Sequence, residues 1–275
     1  MHNEDLENFE LDLLLDSIFY RHGYDFRNYA RISLKRHFKE VLNFAGKSCY
    51  SELIPLILHE PEYINHILKS VTVTVSSIFD SPEYFAYFRH YVTPYLKTYP
   101  SIKLWVAGCA SGEEVYTYAT ILMEEGLYDR CHIIASDINQ QSLAHAREGI
   151  YPLELFKKFS KNYQQSGGKL SFSEYYEISE DYGQMDRGLI KNVSFVHHNL
   201  LSNSAPGEMN IISCRKVLGY FNKSMQNELA HLFHDHLLPY GFLCIDKNDP
   251  IELSSLSESF NKMTPEFNIF QKHEL

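Results

Sequence analysis

A chain of 275 residues with 44% apolar residues has enough material for one large domain or two modest ones with a substantial core. Its formal net charge of −10 argues against a general nucleic-acid binder, because neutralising phosphates takes a basic surface. The longest apolar runs, LDLLL and LIPLIL, fall far short of the ~20 residues that cross a bilayer. No basic leader with an apolar segment opens the chain, and the five scattered cysteines (Cys49, Cys109, Cys131, Cys214, Cys244) include no C-x-x-C pair. The expectation is a cytoplasmic protein with buried free thiols and no direct membrane insertion.

The first 70 residues read as all helix. ENFELDLLLDSIFYRHG stops near Gly23, a second helix ends near Gly46, and SELIPLILHE and PEYINHILKS supply two short ones. In the second helix Arg27, Arg31, Lys35 and Lys39 recur every four residues, with Arg36 beside them, while Ala30, Leu34, Phe38, Val41 and Leu42 trace an apolar stripe. A basic helix on an acidic chain is either an ordinary solvated face or a surface that docks an acidic partner. VTVTVSSIF then reads as extended or loop, and Ser81-Pro82 as the cap and first residue of the helix EYFAYFRHYVTPYL.

From Lys103 the pattern alternates strand and helix: KLWVAG, EEVYTYATILMEE, CHIIASD, NQQSLAHAREG. VSFVHHNL, MNIISCRKV and GFLCIDK follow as strands, with KSMQNELAHLFHDHLLP as a helix and FNIFQK as a possible last strand. Such alternation predicts a parallel sheet with helices on its faces. Residues 151–192, with a Gly-Gly turn and short aromatic strands, read as an inserted subdomain.

The most informative stretch is KLWVAGCASGEEVYT, residues 103–117. Gly108 and Gly112 let a turn approach a ligand closely, and a helix N-terminus behind such a turn normally attracts anions. Glu113 and Glu114 occupy that first turn and offset the charge a pyrophosphate needs, so a cationic ligand such as S-adenosylmethionine is favoured over a dinucleotide. The same glutamates could serve only the helix dipole. Asp137, at the end of the second strand, is placed either to bind ribose hydroxyls or to cap the next helix. Asn199 and Tyr220 follow later strand ends, where ligands bind in such sheets. His231, His234 and His236 do not share one helix face and lack a completing ligand, so no metal site is expected. Neither a G-x-S-x-G elbow nor a P-loop is present.

AGCASGEEVYTYA, ASDINQQSLAHAREGIYP, HNLL and IISCRKVLGYFNKSMQNELAHLFHDHLLPYGFL together resemble, in order and spacing, the motifs of the CheR family of chemotaxis receptor methyltransferases. The resemblance spans nearly the whole chain. It implies methyl transfer from S-adenosylmethionine, leaving S-adenosylhomocysteine, to glutamate side chains in an acidic helical region of a chemoreceptor-like protein. By matching position, Glu113 would hold the methionyl ammonium, Asp137 the ribose, and Asn199 and Leu200 the adenine region. Gly108 would give close backbone approach, Val217 would line the pocket, and Tyr220, the candidate catalytic residue, would face the methyl-donor end. Arg27, Arg31, Lys35, Arg36 and Lys39 would form the docking helix.

Where the family has N-x-T-x-F-F-R, this chain has Thr74-Val75-Ser76-Ser77-Ile78-Phe79-Asp80. Ser76 keeps a hydroxyl for the cofactor and Thr74 a polar group, but Asp80 inverts the charge of the arginine, and Lys216 stands where the family has Asn. Asp80 either faces the incoming carboxylate or lies outside the site in the turn before Ser81-Pro82. Two further readings stand beside the enzyme: a catalytically weak S-adenosylmethionine-binding adaptor of a chemosensory pathway, and methylation of another acceptor such as a small molecule. The expected fold is α/β: a Rossmann-like S-adenosylmethionine-dependent methyltransferase sheet over residues 71–275, an all-helical domain over residues 1–70, and the insertion at about 151–192.

Overall fold

Leu11, Leu14, Leu15 and Ile18 recur at helical spacing and are fully buried in α1 (Asn3–His22). Helix α2 (Arg31–Ala45) buries Leu34, Phe38 and Val41, and α3 (Ile54–His59) and α4 (Tyr63–Thr72) add Ile57 and Ile67. The computed structural model describes residues 3–72, 76–202, 204–251, 256 and 258–274. It divides into two compact units, residues 1–73 with 217–228, and residues 74–216 with 229–275.

In the helical unit, residues 217–228 return to the segment before α2. Tyr29 bridges Phe221, Ala30 N–H donates to the Tyr220 carbonyl at 2.7 Å, and Asn222 N–H donates to the Asn28 carbonyl at 2.8 Å. The second helix begins only at Arg31, after an extended Ala30, so Arg27 lies in the preceding loop and not on the helix as its spacing predicts. Thr74 falls outside the described residues.

In the α/β unit, α5 (Pro82–Tyr87), a π-helical turn over Phe88–Val92 and α6 (Thr93–Leu96) replace the single helix expected there. Ser81 precedes Pro82 as predicted, but its backbone is left-handed and its side chain makes no capping bond. The sheet alternates with helices in the order β1 (Ile102–Ala107), α7 (Glu113–Glu124), β2 (Cys131–Asp137), α8 (Gln140–Glu148). An insertion follows, built from β3 (Ile150–Pro152), α9 (Leu153–Gln165), β4 (Tyr176–Ile178) and β5 (Tyr182–Met185), whose strands form a separate antiparallel sheet ordered β3-β5-β4. Then come β6 (Val193–His197), β7 (Met209–Cys214), α10 (Lys223–His236), β8 (Leu237–Ile245), β9 (Phe260–Lys262) and β10 (Asn268–Lys272).

The main sheet runs β6-β2-β1-β7-β8-β10-β9. The first five strands pair in parallel, and β10 joins β8 and β9 antiparallel. Strand order reverses at β1, and in open α/β sheets the crevice outside the carboxyl ends at that reversal is where ligands bind. Leu104 and Val106 face the core formed with Phe85, Phe88, Val115 and Tyr118. Trp105 is buried against Phe233 and donates from its indole N–H to Ser136 Oγ at 2.8 Å. Four of the five cysteines are buried and Cys49 is half-buried; all are free thiols.

Candidate cofactor and active site

The crevice begins where β1 ends. Gly108 and Cys109 both donate from their backbone N–H to the Ser136 carbonyl, at 2.8 and 2.9 Å, so the turn is tied to the end of β2. Gly108 and Gly112 have φ of 76° and 93°, which a side chain would strain. A Cβ on Gly112 would also meet Ala146 Cβ at 2.8 Å. Between them Ala110 holds φ 45° with no such freedom. Asp137 accounts for this: its Oδ2 accepts from Ala110 N–H at 2.9 Å, and its Oδ1 accepts from Asn139 N–H at 2.8 Å. Capping of α8 falls instead to Asn139, whose side chain accepts from Gln141 and Ser142.

The two consecutive glutamates have different surroundings. Glu114 accepts from Ser213 Oγ at 2.6 Å and from Arg215 Nη1 at 3.0 Å, so its charge is met inside the protein. Glu113, 7% exposed, is hydrogen-bonded by the Ser111 hydroxyl at 2.9 Å. Asp137 is equally buried. Among the described residues neither Glu113 nor Asp137 makes a salt bridge. Burial pushes both carboxyls above their ordinary values, against hydrogen bonds that favour the charged form. Lys216 acts on Glu113 and His197 on Asp137 through space without an ion pair, and buried carboxylates so placed suit a ligand that brings an ammonium to one and hydroxyl donors to the other. That donor chemistry fits the methionyl and ribose ends of S-adenosylmethionine.

Ser76 and Gly108 line a pocket with Asp80, Glu114, Arg215 and Lys216. Asp80 lines this pocket while its N–H closes a turn onto the Ser77 carbonyl at 3.0 Å, and its carboxylate forms an ion pair with the Lys216 ammonium. Asn199 and Leu200 follow β6, the strand beyond β2; Asn199 Oδ1 accepts from Leu201 N–H at 3.0 Å and Leu200 is buried. Val217 and Tyr220 fall in the helical unit, where the Tyr220 ring lies against Tyr29 and His37, 6.3 and 5.9 Å between centroids.

Sequence reasoning passed over Arg215, although it sits next to Lys216. Its guanidinium is buried, bonded to Glu114 and Asp246 and stacked over Tyr84 and Phe85 at 4.2 and 4.9 Å. The one sequence signal was an arginine at the end of an apolar strand, and its acidic partners come from α7 and the end of β8, far away in the chain.

On the helical unit, three of the five basic residues meet acids of α1 or of their own loop. Arg27 pairs with Asp25 at 2.8 Å and Asp16 at 3.5 Å, Arg31 with Asp12, and Lys35 with Glu7 at 2.8 Å. Arg36 and Lys39 are exposed and face the same groove as Lys35. No helix among the described residues is long and apolar enough to cross a membrane.

The chain is similar in sequence to proteins named as methyltransferases. Cher3 of Pseudomonas putida, a protein carrying the name of a methyltransferase, is 39% identical over 272 residues, covering 99% of this chain and all of its own. A chemotaxis protein methyltransferase of Borreliella burgdorferi is 25% identical over 88% of each chain, and chemotaxis protein methyltransferase 2 of Pseudomonas aeruginosa is 27% identical over 78% of this chain and 74% of its own. Among solved structures, the N-methyltransferase NodS of Bradyrhizobium japonicum with S-adenosyl-L-homocysteine covers 72% of this chain and 90% of its own, at 13% identity and a TM-score of 0.39. That likeness is too loose to carry weight beside the sheet's own topology. The family model described as CheR methyltransferase, SAM binding domain, matches residues 74–267, and the chain belongs to that family of S-adenosylmethionine-dependent methyltransferases.

Proposed function

We propose that the protein transfers methyl groups to glutamate side chains of chemoreceptor-like signalling proteins, making carboxyl methyl esters. The observation that carries the donor half of this reading is the pair of buried carboxylates without salt bridges among the described residues, Glu113 and Asp137, at the point where strand order reverses. The chemotaxis methyltransferase names of the relatives favour the same acceptor class.

When bound, S-adenosylmethionine supplies a methyl group already activated by its sulfonium. Glu113 would hold the ammonium and Asp137 the ribose hydroxyls, while Gly108 gives the ligand backbone room. A glutamate acceptor, with an ordinary pKa of about 4.3, is ionised at neutral pH and needs no general base. What remains for the protein is to orient the acceptor and exclude water. Lys216 neutralises Asp80, which weakens the case for an adaptor without activity.

Docking would use the α2 region. Arg36 and Lys39 are exposed, and the ion pairs of Arg27 and Arg31 with α1 and loop acids are surface pairs that cost little to exchange for a partner's acids. The test is incubation with methyl-labelled S-adenosylmethionine and a glutamate-bearing cytoplasmic fragment of a chemoreceptor. Label that appears on the fragment and is released by mild alkali as methanol supports the reading. S-adenosylhomocysteine binding with no such label overturns the acceptor assignment.

A further inference from the structure

The pocket beside Gly108 and Ala110 holds two cations with different commitments. Both terminal nitrogens of Arg215 are engaged, Nη1 with Glu114 at 3.0 Å and Nη2 with Asp246 at 3.3 Å and the Asp80 carbonyl at 3.4 Å, and the guanidinium lies on two aromatic rings. Arg215 is 7% exposed and serves the framework. Lys216 meets the Asp80 carboxylate, and these two side chains are 30% and 24% exposed, within reach of solvent.

The backbone is bent to bring them together. Among the described residues five non-glycine residues have positive φ, and three of them concern this pair: Lys216 at 60°, and Phe79 and Ser81, which flank Asp80, at 54° and 63°. Such conformations persist where surrounding structure enforces them, and they gather at functional sites. Here the Phe79 N–H donates to Thr117 Oγ1 at 2.9 Å and Arg215 holds the Asp80 carbonyl. The pocket the pair helps to line offers about 30 Å³, room for a water or two. A carboxylate reaching Lys216 would therefore compete with Asp80 for the ammonium.

We propose that Lys216 receives the acceptor's carboxylate and that Asp80 is a resident stand-in, holding Lys216 until the acceptor displaces it. The inference rests on the reading that a carboxylate is methylated in this pocket. Exchanging one carboxylate for another leaves Lys216 paired, and the displaced Asp80 turns into the water it already touches. An amine acceptor gains nothing from Lys216 and meets it as a like charge. Methylation turns the acceptor's anion into a neutral ester, which no longer competes for the ammonium, so Asp80 recaptures Lys216 and favours product release. The pair thus favours binding of a carboxylate over an amine before transfer and release of the ester afterwards.

The test compares wild type with Lys216→Gln, Lys216→Arg and Asp80→Asn. With the receptor fragment as acceptor, Lys216→Gln raises KM about tenfold, Lys216→Arg restores most of it, and Asp80→Asn lowers KM. S-adenosylhomocysteine affinity is read by calorimetry for each variant, so that a change at the donor site is separated from a change at the acceptor. A second measurement needs no protein acceptor: free glutarate, titrated with NMR detection into each form with and without S-adenosylhomocysteine, binds Asp80→Asn more tightly than wild type and is lost in Lys216→Gln. Equal glutarate binding in the three forms, or KM changes of the same sign in Lys216→Gln and Asp80→Asn, overturns the proposal. A wild type that binds glutarate in this pattern but labels no receptor fragment overturns the receptor reading alone.

Discussion

Glu113 is a buried acid, proposed above to hold a ligand's ammonium, and its burial leaves a thermodynamic signature. Burial raises its carboxyl above the ordinary value of 4.5. A group whose pKa is raised by folding contributes stability below its unfolded pKa and loses it as pH rises through the folded value. Glu113→Gln keeps an acceptor for the Ser111 hydroxyl but cannot ionise. Without ligand it should therefore melt higher than wild type at neutral pH, by about 2–4 °C for each kcal/mol of desolvation relieved, and the gap should close toward pH 4. The same variant should bind S-adenosylhomocysteine about a hundredfold more weakly by calorimetry. A lower melting temperature at neutral pH together with unchanged affinity would show that Glu113 serves the helix alone. The positions of Glu113, Asp137 and Gly108 were readable because each sits at a strand end or turn whose place follows from the apolar pattern. The separate fate of Glu114 was not readable, since it depends on Arg215 and Ser213 about a hundred residues away.

The turn from β1 to α7 works as one element. Gly112 combines φ 93° with a neighbour, Ala146 of α8, that leaves no room for a Cβ. Gly112→Ala should destabilise the protein by about 1–3 kcal/mol, measured as a lower urea midpoint with unchanged slope. The α2 region is tested by Arg36→Glu with Lys39→Glu, which should weaken capture of the receptor fragment several-fold, lessen its salt dependence and leave S-adenosylhomocysteine binding unchanged. Helix α2 was legible from its apolar stripe, but its first turn was not. The fourfold spacing that includes Arg27 looks helical, while the backbone before Arg31 is engaged with residues 220–222. The π-turn at Phe88–Val92 and the short β9 also escaped: no residue pattern distinguishes an extra residue per turn, and a three-residue strand is too brief for alternation to register.

Over the whole chain, the alternation of strands and helices from Lys103 was enough to foresee a parallel sheet, because two-sided burial makes β1, β2, β7 and β8 strongly apolar. Strand order and the grouping of residues 217–228 with the helical unit depend on long-range pairings that a single sequence does not display. The cysteines follow the same division between buried and accessible. Burial pushes the thiols of Cys131 and Cys244 up to about 12, and those of Cys109 and Cys214 well above their ordinary value. Native protein should react with a maleimide at Cys49 alone, whereas denatured protein should react at all five, a difference that mass spectrometry reads directly. Cys49 faces the same groove as Lys35, Arg36 and Lys39. A fluorophore attached there without any engineered mutation would report arrival of an acidic helix at this wall, independently of whether a methyl group ever moves.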